Sequence, residues 1–294
     1  MKRLRRLAPV GLVALSALLP TPALAIDETI VYGINYFNGA GQCASGASHA
    51  PWHTDSATAF KLPFDTYIIG GDWDESYSRN NSAAHGSYFE DASKSSTAED
   101  TLSNYGADNV DVIYVHTHGG HSTSPAFSSL SMGNSSYDCS ADTDDDMLFG
   151  NEEDGGDLDI AVIKACQSGD YDTWLNGGYR QNFTNTTSTF TVWNAFHGDS
   201  SCGSGVDNYV SDYAWGSFEN GVGENWIDEA YNPAFWWWET DDCPISLVMG
   251  SNATARTHMY EWGGFRDRED TGSKTGSTYF RISGCAPTSG RVLP

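Results

Sequence analysis

The sequence predicts an α/β domain built on a mostly parallel sheet flanked by helices. Three observations carry that expectation. Short runs rich in β-branched and aromatic residues recur between turn-forming residues, at 29–37, 66–69, 110–116, 158–165, 190–196, 245–249 and 278–282. Several are almost continuously apolar, as in "VDVIYVH" (110–116) and "DIAVIKA" (159–165), which marks strands covered on both faces. Segments with helical spacing lie between some of them and supply the covering layers.

Ahead of the fold, the chain begins with Lys2, Arg3, Arg5 and Arg6, runs through an apolar stretch at 7–19 and reaches Ala23-Leu24-Ala25. Charge, apolar core and a small-residue site in that order read as a secretory signal peptide at 1–25. The apolar run is shorter than the ~20 residues that span a bilayer, so no membrane insertion is expected once it is cleaved. Residues 26–294 would then form one domain with a substantial core, secreted, periplasmic or at the cell surface.

Strand 29–37 opens that domain and 66–69 is the next expected strand. The pattern Ser96-Thr97-Ala98-Glu99 reads as a capping box starting a short helix that Gly106 ends, just before the strand at Val110. Residues 122–156 carry few helix signals and are acidic, an insertion long for a structureless loop, and therefore either functional or poorly ordered. After the strands at 158–165 and 190–196, Val206, Tyr209, Val210, Tyr213 and Ser217 or Phe218 follow helical spacing. Trp226, Ile227, Ala230 and Tyr231 mark a second helix after Gly223. No solenoid repeat or composition break divides the chain.

The formal charge is −24, and loss of four cations with the signal peptide takes it to −28. Such a surface repels nucleic acid and anionic lipid, and it favours cations, basic peptides or high-salt surroundings. The six cysteines are Cys43, Cys139, Cys166, Cys202, Cys243 and Cys285; all but Cys166 stand in loop-like surroundings where disulfides close in an oxidising compartment. Cys166 ends an apolar run. Parity favours pairing of all six, which would make Cys166 structural.

A parallel sheet gathers its functional site at the carboxyl ends of its strands. The run at 111–116 leads into His118-Gly119 and the run at 159–165 into Cys166, so the two would meet if their strands are parallel neighbours. A thiol attacks as the thiolate, and a nearby imidazole can take its proton and return it to a leaving amine. The Gly119 and Cys166 amides would form the oxyanion hole.

On "VIYVHTHG" and "IAVIKACQSG" the sequence resembles the caspase-like clan of cysteine peptidases, which includes caspases, legumains, clostripain and the gingipains. The resemblance implies a three-layer, caspase-haemoglobinase-like fold, with His118 as general base or acid and Cys166 as nucleophile on peptide bonds. It implies a peptide or protein substrate and no required cofactor. The order of "YG" strand, "VD-apolar-HG" strand, Ala-Cys strand, "VWNAFHG" and "NWIDEAY" also resembles secreted bacterial proteins of this general build. Asp170 and Asp172 would select a basic residue at the cleavage site, and His197 would be a further substrate contact.

Other uses of the same residues follow from their spacing. "HTHGGH" resembles the zinc motif of metallo-β-lactamase-fold hydrolases, with His116, His118 and His121 as ligands and His197 as a fourth, although Gly120 stands where that family places Asp. Asp142, Asp144, Asp146 and Glu153 stand at calcium-loop positions, but Met147 replaces the turn-making Gly, leaving at most a looser calcium site. "FWWWE" (235–239) invites a non-catalytic reading, an exported binding or adhesion module that stacks indoles on sugar.

Overall fold

A computed structural model describes residues 27–37, 43, 51–151, 156–179, 183–184, 187–201, 203, 205–233, 241–268 and 271–294. The expected signal peptide, Glu153, Cys202 and the 235–239 aromatic run lie outside the described residues.

A seven-stranded mixed sheet forms the centre. Its strands are β1 (Glu28–Gly33), β2 (Glu75–Asn80), β3 (Val112–His116), β7 (Ile160–Lys164), β8 (Val192–His197), β9 (Cys243–Gly250) and β10 (Gly276–Arg281), in the spatial order β10-β9-β8-β7-β3-β1-β2. From β2 to β8 all neighbours are parallel, while β9 and β10 add antiparallel pairings. The interior strands β3, β7, β8 and β9 are buried at every position, which accounts for their unbroken apolar runs.

Helices cover one face. Helix α1 (Trp52–Gly70) buries Ala57, Phe60 and Phe64, an i, i+3, i+7 stripe, against Val31, Val112 and Tyr114. Gly71, left-handed at φ 78°, closes it. Helices α3 (Val206–Gly216), α4 (Val222–Ala230) and α5 (Ala253–Trp262) complete this layer, placing Val210, Tyr213, Trp226 and Met259 in the same apolar cluster. The two helices expected after residue 205 are therefore present, but the strand expected at 66–69 is the last turn of α1. Tertiary burial of the Phe60 stripe overrides the β preference of that short run.

The opposite face is covered mainly by a second sheet and irregular chain. Strands β4 (Gly119–Thr123), β5 (Ala126–Ser131) and β6 (Ser140–Asp142) pair antiparallel in that order. With the short helix α2 (Tyr171–Leu175) and the 3₁₀ turn Gly86–Phe89, they close over Ile113, Val115, Ile163 and Trp193. The acidic segment 122–156 thus contributes to the core: Leu130, Met132, Ala141, Met147 and Phe149 are all buried. The expected 96–106 helix is a series of turns. Glu99 accepts a hydrogen bond from Ser87 Oγ at 2.8 Å, and its carboxylate ties two loops together instead of capping a helix.

Disulfides join Cys43 to Cys139 and Cys243 to Cys285. Cys166 is a free thiol, so the pairing of all six cysteines that parity favoured is not formed. Among the described residues no helix is long and apolar enough to cross a membrane.

Candidate active site

Strands β3 and β7 pair parallel with His116 opposite Lys164, so two residues further on His118 and Cys166 leave the same edge of the sheet side by side. Their backbones touch through Gly119: a Cβ built there would lie 2.3 Å from the Cys166 carbonyl oxygen and 2.9 Å from the Ala165 side chain. Only glycine permits this approach, so the His-Gly step brings the imidazole-bearing loop onto the thiol-bearing one.

Cys166 is half-buried. The Ser200 N–H points at its Sγ from 3.5 Å, and the Ser200 carbonyl lies 3.8 Å away. The next residue, Gln167, is left-handed at φ 57°, a strained conformation for a side chain of its length. Its N–H donates to the Gly198 carbonyl at 2.6 Å and its carbonyl accepts from Ser128 Oγ at 3.0 Å, so both neighbours hold the turn closed. The Gln167 side chain bridges the rim, meeting His121 Nδ1 at 2.7 Å and donating to Asp199 Oδ1 at 3.4 Å.

His118 sits against Phe37, with ring centroids 4.6 Å apart, and edge-on to His53 at 6.0 Å. His53 begins α1, accordingly at the carboxyl end of β1, and it stacks on His116 at 4.0 Å. The His116 Nδ1 meets Ser56 Oγ at 2.5 Å, and Ser56 Oγ in turn accepts from Tyr114 OH at 3.1 Å. A buried polar group thus underlies the exposed edge, built from α1 and β3 and tied to the chain after β1 where His53 Nδ1 donates to the Ile34 carbonyl.

Lys164 is also fully buried, two positions before the thiol. Its Nζ donates to the Ser201 carbonyl at 2.5 Å and lies over the Phe196 ring, 4.6 Å from the centroid. Ser201 in turn gives its N–H and Oγ to the two oxygens of Asp242, at 2.7 and 2.5 Å. The loop flanking Cys166 is therefore fixed from β7 on one side and from the start of β9 on the other.

The expected substrate contacts are corrected in position. Asp170 is buried and caps α2, accepting the Thr173 N–H at 2.9 Å. It also lies 3.0 Å from His197 Nδ1, and His197, itself fully buried, donates from Nε2 to the Arg291 carbonyl at 2.7 Å. Burial pushes the Asp170 carboxyl up, but hydrogen bonds from His197 and the Thr173 N–H, with His121 nearby, hold it below the usual carboxylate range. Asp172 is half-buried and already paired with Arg291 at 3.1 Å. Asp170 and His197 are parts of the platform beneath the Cys166 turn, and neither offers a free carboxylate or imidazole to a ligand.

The four candidate zinc ligands are not brought together. His116 is committed to Ser56 beneath the edge, His121 to Gln167 and His197 to Asp170. Of the calcium-loop residues, Asp142 turns back on Asp146, its N–H donating to Asp146 Oδ2 at 2.7 Å. Burial raises the carboxyls of Asp142 and Asp144, and that of Asp146 to about 6. Among the described residues, the one close group of three metal-ligating side chains is Asp241 with Cys243 and Cys285, whose sulfurs are spent in a disulfide.

No protein-family model, curated protein or solved structure matches this chain. Geometry alone therefore carries the functional reading. Of the residues the site adds, Lys164 left a signal in the sequence as the lone cation in "DIAVIKA", whereas His53 and Ser200 have no local pattern to mark them.

Proposed function

We propose that the protein is an exported cysteine peptidase-like hydrolase of caspase-haemoglobinase-like build that cleaves peptide bonds with His118 and Cys166. The observation that carries this reading is the parallel register of β3 and β7, which sets a free thiol beside a His-Gly turn at the carboxyl edge of the sheet. The strand order, with four parallel pairings and an antiparallel end, and the two disulfides support the same build and export.

The chemistry follows from the placement. His118 accepts the Cys166 proton, and the thiolate adds to the scissile carbonyl to form a C–S bond. Negative charge moves to the carbonyl oxygen, where the Gly119 and Cys166 N–H groups receive it. Collapse breaks the C–N bond, the imidazolium returns its proton to the leaving amine, and water then hydrolyses the thioester. Peptide is the substrate class. The carboxylates first expected to select a basic residue are internally paired and play no part in this proposal.

The test is hydrolysis of a mixed peptide library by the mature protein and by Cys166→Ala and His118→Ala, with chelator present and absent. Cleavage by the parent alone, unaffected by chelator, is expected, with near-UV circular dichroism unchanged in both variants. Normal turnover by either variant, or no cleavage by the parent, would overturn the reading.

A further inference from the structure

We infer that Lys164 is a positioning residue for the Cys166 thiol: by holding the Ser201 carbonyl it fixes the turn after β8, so that the Ser200 N–H is presented to Sγ. The inference rests on the reading of Cys166 as a nucleophile. Its geometry is a short chain of contacts, from Lys164 Nζ to Ser201 O at 2.5 Å and from Ser200 N to Cys166 Sγ at 3.5 Å, one peptide unit apart. Asp242 grips the same residue through the Ser201 N–H and Oγ.

Lysine is almost never fully buried, because desolvating an ammonium is costly and a methionine would fill a strand interior with less penalty. Here the cost falls on the central strand that carries the thiol, two residues before it. The Ser200 N–H aimed at sulfur is placed to meet negative charge that develops on Sγ when the thiol reacts, with the Ser200 carbonyl 3.8 Å away on the thiol side. The donor is a backbone group and cannot place itself. Its aim is set by what restrains residues 200 and 201, and Lys164 and Asp242 are two of those restraints. The other titratable groups at this edge are His53, His116 and His118 from the α1 and β3 sides, His121 from β4, Asp170 and His197 beneath the Cys166 turn, and Asp199 from the turn after β8, linked to the thiol-bearing loop through Gln167.

The experiment is the rate of Cys166 alkylation by iodoacetamide between about pH 5 and about pH 9.5, read on the Cys166 peptide by mass spectrometry, since only the thiolate reacts. It is run on the parent, Lys164→Met, Lys164→Arg and Asp242→Asn. Lys164→Met is expected to slow labelling near pH 6.5 by about tenfold while leaving the rate at the alkaline limit unchanged, equivalent to ~1.4 kcal/mol against the thiolate. Lys164→Arg keeps the cation and should restore part of the loss, and Asp242→Asn should shift the profile the same way by less. A parent-like profile in Lys164→Met overturns the inference, as does a slowing equal at all pH values, which reports access alone. Should Lys164→Met not fold, an unshifted profile in Asp242→Asn also overturns it. Labelling needs neither substrate nor turnover, so failure of peptide hydrolysis would remove the peptidase reading without touching this result.

Discussion

At the scale of single residues, the two adjacent glycines of "HTHGGH" have opposite tolerances. A Cβ on Gly119 would meet the Cys166 carbonyl oxygen at 2.3 Å, a backbone atom that cannot swing away, whereas a Cβ on Gly120 would meet nothing within 4 Å. Gly119→Ala must therefore push the His118 loop off the thiol-bearing turn. It is expected to cost about 1–3 kcal/mol in urea unfolding, in the range of overpacked interiors, and to abolish turnover. Gly120→Ala should leave stability within about 0.5 kcal/mol of the parent and retain activity. Equal effects of the two substitutions would mean that the Gly119 contact does not set the geometry of the site. Asp170 offers a second residue-scale test. Asp170→Ala removes both the α2 cap and the partner of a fully buried histidine, and should cost ~3 kcal/mol or more; Asp170→Asn keeps the cap oxygen and should cost less, as read from the two urea midpoints.

At the scale of elements, the site depends on turns that hold one another, and this decides how much of it the sequence reveals. Six of the seven expected strands are strands; in β3, β7, β8 and β9 burial on both faces removes polar positions and leaves a readable run, while β10 is half-buried at the sheet edge. The seventh, at 66–69, belongs to α1, where packing of Phe60 and Phe64 against the sheet outweighs a local β preference. The small sheet was not legible. Its strands are short and mostly half-buried, and its core residues Leu130 and Ala141 are spaced among serines and aspartates. The same division holds at the site. His118 and Cys166 could be found because each follows a long apolar run, so that only the neighbour relation of β3 and β7 was needed to bring them together. His53, Ser200 and Asp242 act through partners more than thirty residues away, and no local pattern encodes such pairings. Asp170 shows the converse: an acidic residue just after the free cysteine suggests a ligand contact, but its place at the start of a helix makes it a cap.

At the scale of the whole molecule, the two edges of the sheet differ in their charged groups. The carboxyl edge mixes imidazoles and Lys164 with Asp170, Asp199 and Asp242, whereas the amino edge gathers carboxylates around Arg268. That guanidinium pairs with Asp27, with Asp111 at 2.7 Å and with Asp159 at 3.1 Å, the residues just ahead of β1, β3 and β7. Burial raises Asp111 to about 7 and Asp159 to about 6, although Arg268 pulls both down; neighbouring carboxylates add to the rise. Burial also lifts Asp108 well above its ordinary value. These acids bind protons more tightly folded than unfolded, where Asp titrates near ~3.9, so the unfolded state holds fewer protons between about pH 4 and about pH 7. Stability must then fall as pH rises through that window and level off above it. Asp170 has the opposite sign: its contribution is lost as pH falls below the usual carboxylate range. Thermal unfolding should therefore show its highest midpoint near pH 5, roughly 5 °C above the value at pH 8, and added salt should narrow the gap by screening a formal charge of −24. Arg268→Met separates the cluster from this general repulsion. With the cation gone, Asp111 and Asp159 face each other unpaired when ionised but not when protonated, so the variant should lose about 2–4 kcal/mol at about pH 8 and much less near pH 5, as measured by urea unfolding at both values. A pH-independent loss would mean that Arg268 acts through packing, including its approach to Trp73 at 5.8 Å, and that the carboxylates at this edge do not govern the pH response of the fold.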